Sequence, residues 1–181
     1  ETLFAEPVLP HPRNICRAIF PSDTTITTAP HQDHIHIGGT EETWTVWISL
    51  ADCPSELGGL ALLPGSHKLG ILETHAAYGA GGTGVDVPED SVWASGEITC
   101  GDVVMLRSNT VHQGRDNLTA DTVRVSVDFR YQPRSHPVRE DSLIPHMAAL
   151  TWEEIYENWP DPDDPVKHYW KAWDLDIVAG E

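Results

Sequence analysis

A chain of 181 residues with 40 % apolar side chains and seven tryptophans is large enough for one domain with a buried core and short for two. Its 28 acidic and 11 basic residues give a formal charge of −17, which argues against nucleic-acid and anionic-membrane partners, and no apolar run reaches the roughly 18 residues of a membrane span. Three cysteines without CxxC spacing (Cys16, Cys53, Cys100) argue against a disulfide framework or a thiolate zinc site, and for a reducing, cytoplasmic setting.

The chain opens on Glu1 without the basic, apolar, small-residue order of a secretory signal, and a trimmed N-terminal region is expected. Pro7, Pro10, Pro12 and Pro21 surround a short apolar segment at 15–20, which reads as an entry segment packing on the core. The β-branched run at 24–28 reads as a strand leading into His31-Gln32-Asp33, with Pro30 holding Ala29 extended. On an extended strand His31 and Asp33 share one face and His34 turns to the other. Gly38-Gly39-Thr40 then breaks the chain.

Residues 43–51 alternate, with Trp44, Val46, Ile48 and Leu50 on one face and Thr45, Trp47 and Ser49 on the other. Turn residues at 52–59 precede a short apolar strand at 60–63. Residues 74–95, with Gly79, Gly81, Gly82 and Gly84, have no usable periodicity and read as one long loop. A strand from 103 runs on to end near His112. Alternation returns at 122–131, where Val123, Val125, Val127 and Phe129 oppose Arg124, Ser126, Asp128 and Arg130.

Beyond Pro133, Thr151-Trp152-Glu153-Glu154 fits a capping box that opens a helix to about Trp159. Asp164-Pro165 fits the start of a second helix carrying Tyr169, Trp170 and Trp173. The pattern predicts one domain over 1–181: an all-β barrel or sandwich at about 24–133, with a helical extension over about 140–181.

The chemistry concentrates in His31, Asp33 and a third imidazole, for which His112 is the best candidate. Two histidines and one carboxylate form the facial triad of non-heme iron(II) oxygenases, which leaves open positions for co-substrate and oxygen. Arg124 lies twelve residues beyond His112 and offers a planar fork for a carboxylate, with Ser126 on the same strand face. Trp47 is a poor choice for open solvent, so its face and the Arg124 face are expected to line one cavity.

Taken in order, HQD, the Trp47 strand, GGLALLPGSHKLG, GDVVMLRSNTVHQG and RVSVDFRY resemble the phytanoyl-CoA dioxygenase-like family of Fe(II)/2-oxoglutarate oxygenases, over about residues 25–135. The resemblance implies a double-stranded β-helix (jelly-roll, cupin-like) barrel with iron at one mouth. It implies His31, Asp33 and His112 as iron ligands, and Arg124 with Ser126 as the clamp for the distal carboxylate of 2-oxoglutarate. Trp47, and more weakly Gln32, match positions beside that co-substrate. The implied reaction uses iron(II), 2-oxoglutarate and O2 to oxidise a small-molecule substrate, releasing succinate and CO2. Asp33 stands where halogenating relatives carry a small residue, which favours hydroxylation or a related oxidation. Gly114 replaces a serine found in some members, and the thirty residues ahead of His31 are fewer than usual.

A second pattern overlaps the first. His34, His36 and Glu41 have the HxH(x4)E spacing of a cupin metal motif, with His112 as the last ligand, and would make a cupin-type metalloenzyme or a metal-dependent small-ligand binding protein. That pattern leaves Arg124 without a task. A barrel that holds no metal, acting only as a binding module, is the third possibility. The 74–95 loop and the aromatic C-terminal helices are candidates for a substrate lid.

Overall fold

The structure is a computed structural model that describes residues 3–21 and 27–180. Strands β1 (Val8–Pro10) and β2 (Ile15–Ile19) precede a single-turn helix, α1 (His34–Ile37). Then come β3 (Trp44–Ser49), β4 (Leu60–Leu62), β5 (Thr74–Ala76), β6 (Thr83–Val85), β7 (Val103–Arg107), β8 (His112–Gly114) and β9 (Arg124–Pro133). The chain closes with β10 (Val138–Arg139), α2 (Trp152–Tyr156) and β11 (Ile177–Val178). No helix among the described residues is long and apolar enough to cross a membrane.

The largest sheet among the described residues is antiparallel and has five strands. β9 is its spine, with β3 and then β7 on one side and β1 and β2 sharing the other. The proline-rich entry segment is therefore part of the sheet. Pro10 sits at its outer edge, in β1, where a missing N–H costs no ladder bond. A second sheet faces this one. In it β4 pairs with β8, His31 bridges His112 on the far side of β8, and the amide of Val85 in the β5–β6 hairpin donates to Pro30 at 2.8 Å.

The large sheet is polar on its buried side. Arg124, Ser126, Asp128 and Arg130 of β9 are buried between the sheets, as are Thr45, Trp47 and Ser49 of β3, whereas Val103 and Met105 on the opposite face are 49 % and 47 % exposed. Strand register puts Thr45 beside Arg130 and Trp47 beside Asp128, so the two alternating segments present their mixed faces to one interior, as expected. A sheet whose inner face carries guanidinium, carboxylate and hydroxyl groups is built to hold polar ligands rather than to pack an oil core.

The apolar core sits to one side. Leu9, Val138, Leu143 and Trp170 form it, with Trp152, Tyr169, Trp173 and Leu175 packed against it. The Tyr169 hydroxyl donates to Pro10 at 2.7 Å and the Trp152 indole to Leu143 at 2.8 Å. The aromatic tail is therefore a core element that clamps β1, not a lid.

Several expectations need correction. The segment carrying His31-Gln32-Asp33 is not a strand: Asp33 has helical dihedrals (φ −61°, ψ −26°) and starts α1. Most of the strand expected at 24–28 lies outside the described residues. The strand expected from 103 to His112 is two strands, β7 and β8, separated by a turn. The expected second helix is a short 3-10 turn at Tyr169–Ala172, entered through His168 at φ 54°, whereas Thr151 and Glu154 do form the capping box of α2. The glycine-rich loop contains the β5–β6 hairpin.

One buried histidine stands apart from the site and predicts an acid response. His11 is 4 % exposed, its Nε2 shares a 2.9 Å hydrogen bond with Gln132 Oε1, and burial lowers its pKa to about 4. Because the unfolded chain takes up this proton near pH 6.5 and the folded one only near 4, the native state loses stability as pH falls through that window. The loss is on the order of 3 kcal/mol. Urea unfolding between pH 7 and 4 should show a shallower decline for His11→Gln than for the wild type.

Candidate active site

His31 and His112 meet because the bridge between them exchanges two backbone hydrogen bonds of 2.9 and 3.0 Å. Asp33 reaches the same point from the first turn of α1. Gly38 (φ +61°) and Gly39 (φ +75°) end that helix with backbone only glycine adopts readily, and a Cβ on Gly38 would stand 2.6 Å from the Arg139 side chain. Arg139 uses this space to donate to the carbonyls of Ile35 and His36, and Arg13 donates to His36 as well. Two guanidiniums thus close the C-terminus of a helix too short to persist alone.

His31, Asp33 and His112 are all buried, and each offers one ligand atom within 4.8 Å of the others. Asp33 Oδ1 lies 3.7 Å from His31 Nε2 and 3.8 Å from His112 Nε2. The far nitrogens are engaged: His31 Nδ1 bonds Ala29 O at 2.7 Å and His112 Nδ1 bonds Thr110 O at 3.0 Å. A carbonyl only accepts, so each Nδ1 carries the proton and each Nε2 keeps its lone pair for the centre.

The other oxygen of Asp33, Oδ2, accepts from Thr45 Oγ1 at 2.5 Å and lies 3.6 Å from Arg130 Nη2. Burial opposes ionisation of Asp33, but the Arg130 guanidinium beside it holds its carboxyl well below the usual range. Burial lowers the His112 pKa to about 4, helped by neighbouring His31. A carboxylate and two imidazoles whose Nε2 atoms converge on it are the donor set a divalent transition metal requires.

Beside this centre a narrow slot is lined by Trp47, His112, Gly114, Arg124, Asp128 and Arg130, among others. Arg124 is 3 % exposed, donates through Nη1 to Gly59 O at 3.2 Å, and has no partner for its buried Nε. Ser126 is fully buried and its hydroxyl is likewise unpartnered. Two unsatisfied donors in one buried strand face are costly unless a ligand completes them, and a carboxylate has the matching acceptors. Opposite Gly114, the Thr28 hydroxyl accepts from the Gly114 amide at 2.8 Å, and a side chain at 114 would crowd it.

A second cavity of about 500 Å³ opens from the centre toward α1, with Ile15, Arg17, Ile35, His36, Gly81 and Arg130 in its walls. His36 faces this cavity, its ring 6.3 Å from that of His31, so it is the second histidine of the HIH pair that borders the site.

Gln32 is elsewhere. It is fully buried, donates to Gly70 O and Asn109 O at 2.9 and 2.7 Å, and accepts from the Leu72 amide at 2.9 Å, so it locks the chain between the two ligands and lines neither cavity. Gln32→Ala leaves three backbone groups without their partner and is expected to cost about 2–4 kcal/mol. Thermal unfolding checks the loss, and an unchanged KM for 2-oxoglutarate separates this role from a place in the slot. The cupin pattern is not assembled among the described residues: Glu41 Oε2 accepts from Asn109 at 3.1 Å, and the ligand cluster contains neither Glu41, His34 nor His36.

Sequence reading placed Arg130, Asp128 and Thr45 on the inner face without giving them a task. The strand register supplies it, since Thr45 and Arg130 are cross-strand neighbours that jointly hold Asp33.

The phytanoyl-CoA dioxygenase (PhyH) family model matches residues 7–126. The chain belongs to this family. Among curated relatives, a 1-deoxypentalenic acid 11-beta-hydroxylase from Streptomyces arenae is 29 % identical over 160 residues, covering 80 % of this chain and 56 % of that protein. The chain thus spans about half the length of the relatives it matches. Among solved structures, the non-heme alpha ketoglutarate dependent carbocyclase SnoK from nogalamycin biosynthesis is 25 % identical with a TM-score of 0.61, covering 81 % of this chain and 58 % of that one. The epimerase SnoN, solved with Fe3+, alpha ketoglutarate and nogalamycin RO, is 22 % identical with a TM-score of 0.61 over 76 % of this chain and 54 % of its own. The two facing sheets of this PhyH protein are the double-stranded β-helix barrel of that fold.

Proposed function

We propose that this chain is a non-heme Fe(II)/2-oxoglutarate-dependent dioxygenase that hydroxylates or otherwise oxidises a small molecule. The observation that carries the reading is the buried His31–Asp33–His112 cluster, with each imidazole Nε2 within 3.8 Å of one carboxylate oxygen, beside an arginine with an unpaired Nε. His31, Asp33 and His112 hold the iron; Arg124 and Ser126 take the distal carboxylate of 2-oxoglutarate, with Trp47 walling the slot. Bound iron with 2-oxoglutarate and O2 supplies the oxidising chemistry, and 2-oxoglutarate leaves as succinate and CO2.

The protein contributes orientation and charge. Thr45 and Arg130 fix Asp33 by one oxygen and leave the other for the metal, and the Nδ1 bonds set both ring orientations. Asp33, His112, Arg124 and Arg130 are nearly fully buried, which strengthens the charged contacts among them. Membership of the family supports the reaction type, and the relatives named for a terpenoid acid and for nogalamycin biosynthesis support a small-molecule substrate.

The test is oxygen-dependent succinate formation from 2-oxoglutarate with added Fe(II), together with thermal unfolding in Mn(II) and 2-oxoglutarate. A ligand pair at 100 times its dissociation constant should stabilise by about 2.7 kcal/mol. A protein that forms no succinate and shows no such stabilisation would overturn the assignment.

A further inference from the structure

The larger cavity has more positive charge than the reaction itself uses. Four arginines border it: Arg13, Arg17, Arg130 and Arg139. Arg13 and Arg139 are occupied in closing α1 and in bonds to the Asp141 backbone and carboxylate. Arg17 and Arg130 are only partly occupied, by Asp128 and by Asp33. Arg17 donates through Nε to Asp128 Oδ2 at 3.2 Å, and its terminal nitrogens have no hydrogen-bond partner among the described residues. Arg130 is 6 % exposed, its Nε is unpartnered, and its closest anionic atoms, Asp33 Oδ2 and Asp128 Oδ2, lie at 3.6 and 3.8 Å, beyond hydrogen-bonding distance.

A guanidinium with five donors, almost fully buried and making no direct hydrogen bond among the described residues, is an incomplete arrangement. Arg17 and Arg130 line both the slot and the larger cavity, so their free donors lie where the two meet. Charge points the same way. Three guanidiniums, Arg17, Arg124 and Arg130, face two carboxylates, Asp33 and Asp128, in a barrel whose chain is otherwise strongly acidic. On the iron and 2-oxoglutarate reading, on which this step rests, the divalent metal and the dianionic co-substrate offset each other. Net positive charge therefore remains where Arg17 and Arg130 border walls formed by Ile15, Ile35 and Ile37.

We propose that Arg17 and Arg130 form the substrate's anion site, and that the substrate is an apolar molecule bearing a carboxylate, held by these two arginines in the cavity between β2 and α1. The carboxylate completes the Arg130 fork and the Arg17 terminal nitrogens, and the apolar body lies along the isoleucines. Arg17 and Arg130 are in this role specificity-determining residues, separate from the Arg124 clamp.

Calorimetric titration of the full chain with 1-adamantanecarboxylate and its uncharged isostere 1-adamantanecarboxamide tests the site. Each titration is run with saturating 2-oxoglutarate and Mn(II), and again in EDTA without either. The acid should bind at least tenfold more tightly than the amide. That ratio should fall to within threefold of unity in Arg17→Gln and Arg130→Gln, recover in part in Arg130→Lys, and persist in Arg124→Gln. Arg17 is partly exposed, so Arg17→Gln decides the matter if Arg130→Gln fails to fold.

A wild-type protein that holds the acid no better than the amide would overturn the proposal. So would a ratio lost only in Arg124→Gln, which would place the acid in the co-substrate slot, or displacement of the acid by equimolar inorganic phosphate, which would indicate a phosphate site. If 2-oxoglutarate fails to bind with Mn(II) while the acid preference survives in EDTA, the oxygenase reading fails and the anion site stands.

Discussion

Asp33→Ala is expected to cut succinate formation by roughly a thousandfold or more, equivalent to about 4 kcal/mol of lost transition-state stabilisation. The reason is geometric. Asp33 Oδ1 is the atom on which both imidazoles converge, and its other oxygen is already held by Thr45 and Arg130, so no neighbouring group can swing in to replace it. The same variant should lose the Mn(II)-dependent rise in melting temperature. Glu41→Ala, whose carboxylate instead bonds Asn109 near the surface, should retain both. The reverse result, activity surviving loss of Asp33 but not of Glu41, would transfer the metal to the cupin pattern.

Arg124→Ala should raise the KM for 2-oxoglutarate about a hundredfold, matching the loss of roughly 3 kcal/mol from a desolvated, bidentate guanidinium–carboxylate contact. The kcat at saturating co-substrate should change far less, because the distal carboxylate is bound equally before and during reaction. Ser126→Ala removes one neutral donor and should raise KM only severalfold, on the scale of about 1 kcal/mol. Initial rates across 2-oxoglutarate concentrations separate the three proteins. Equal KM values in Arg124→Ala and wild type would show that the two buried unpaired donors serve something else.

How much of this was readable from the sequence depends on which physical signal marks each part. Two strands, β3 and β9, alternate so regularly that their faces could be assigned residue by residue. The trio His31, Asp33 and His112 was legible as a set because residue type and order limit the options, yet the conformation assigned to its first two members was mistaken. A strand and a helix entry both bring residues two apart toward one centre when the chain between them is anchored, and here Gln32 is the anchor, bonded to three distant backbone groups. No local periodicity encodes those partners. The same residue illustrates the limit of resemblance, since its position in the motif suggested the pocket and its hydrogen bonds put it outside.

β1, β10 and β11 escaped notice because strands of two or three residues carry too little pattern, and Pro10 reads as a breaker until its edge location is known. Arg130 shows a different kind of gap. Its inward face was evident, but its partnership with Asp33 exists only through cross-strand register with Thr45. Valines half exposed on the outside and arginines buried on the inside invert the ordinary hydrophobic pattern, and that inversion is itself a sign of an interior meant for ligands.

The β5–β6 hairpin hangs from the metal-ligand segment: Val85 N–H is bonded to Pro30, the adjacent His31 is bonded to His112, and Ala80 N–H is bonded to Thr27. Hairpin and ligand backbone are consequently one mechanical piece. Solvent exchange of the Val85, His31 and His112 amides should follow a common opening event, and a molecule bound in the cavity that Gly81 and Gly82 border should slow all three together.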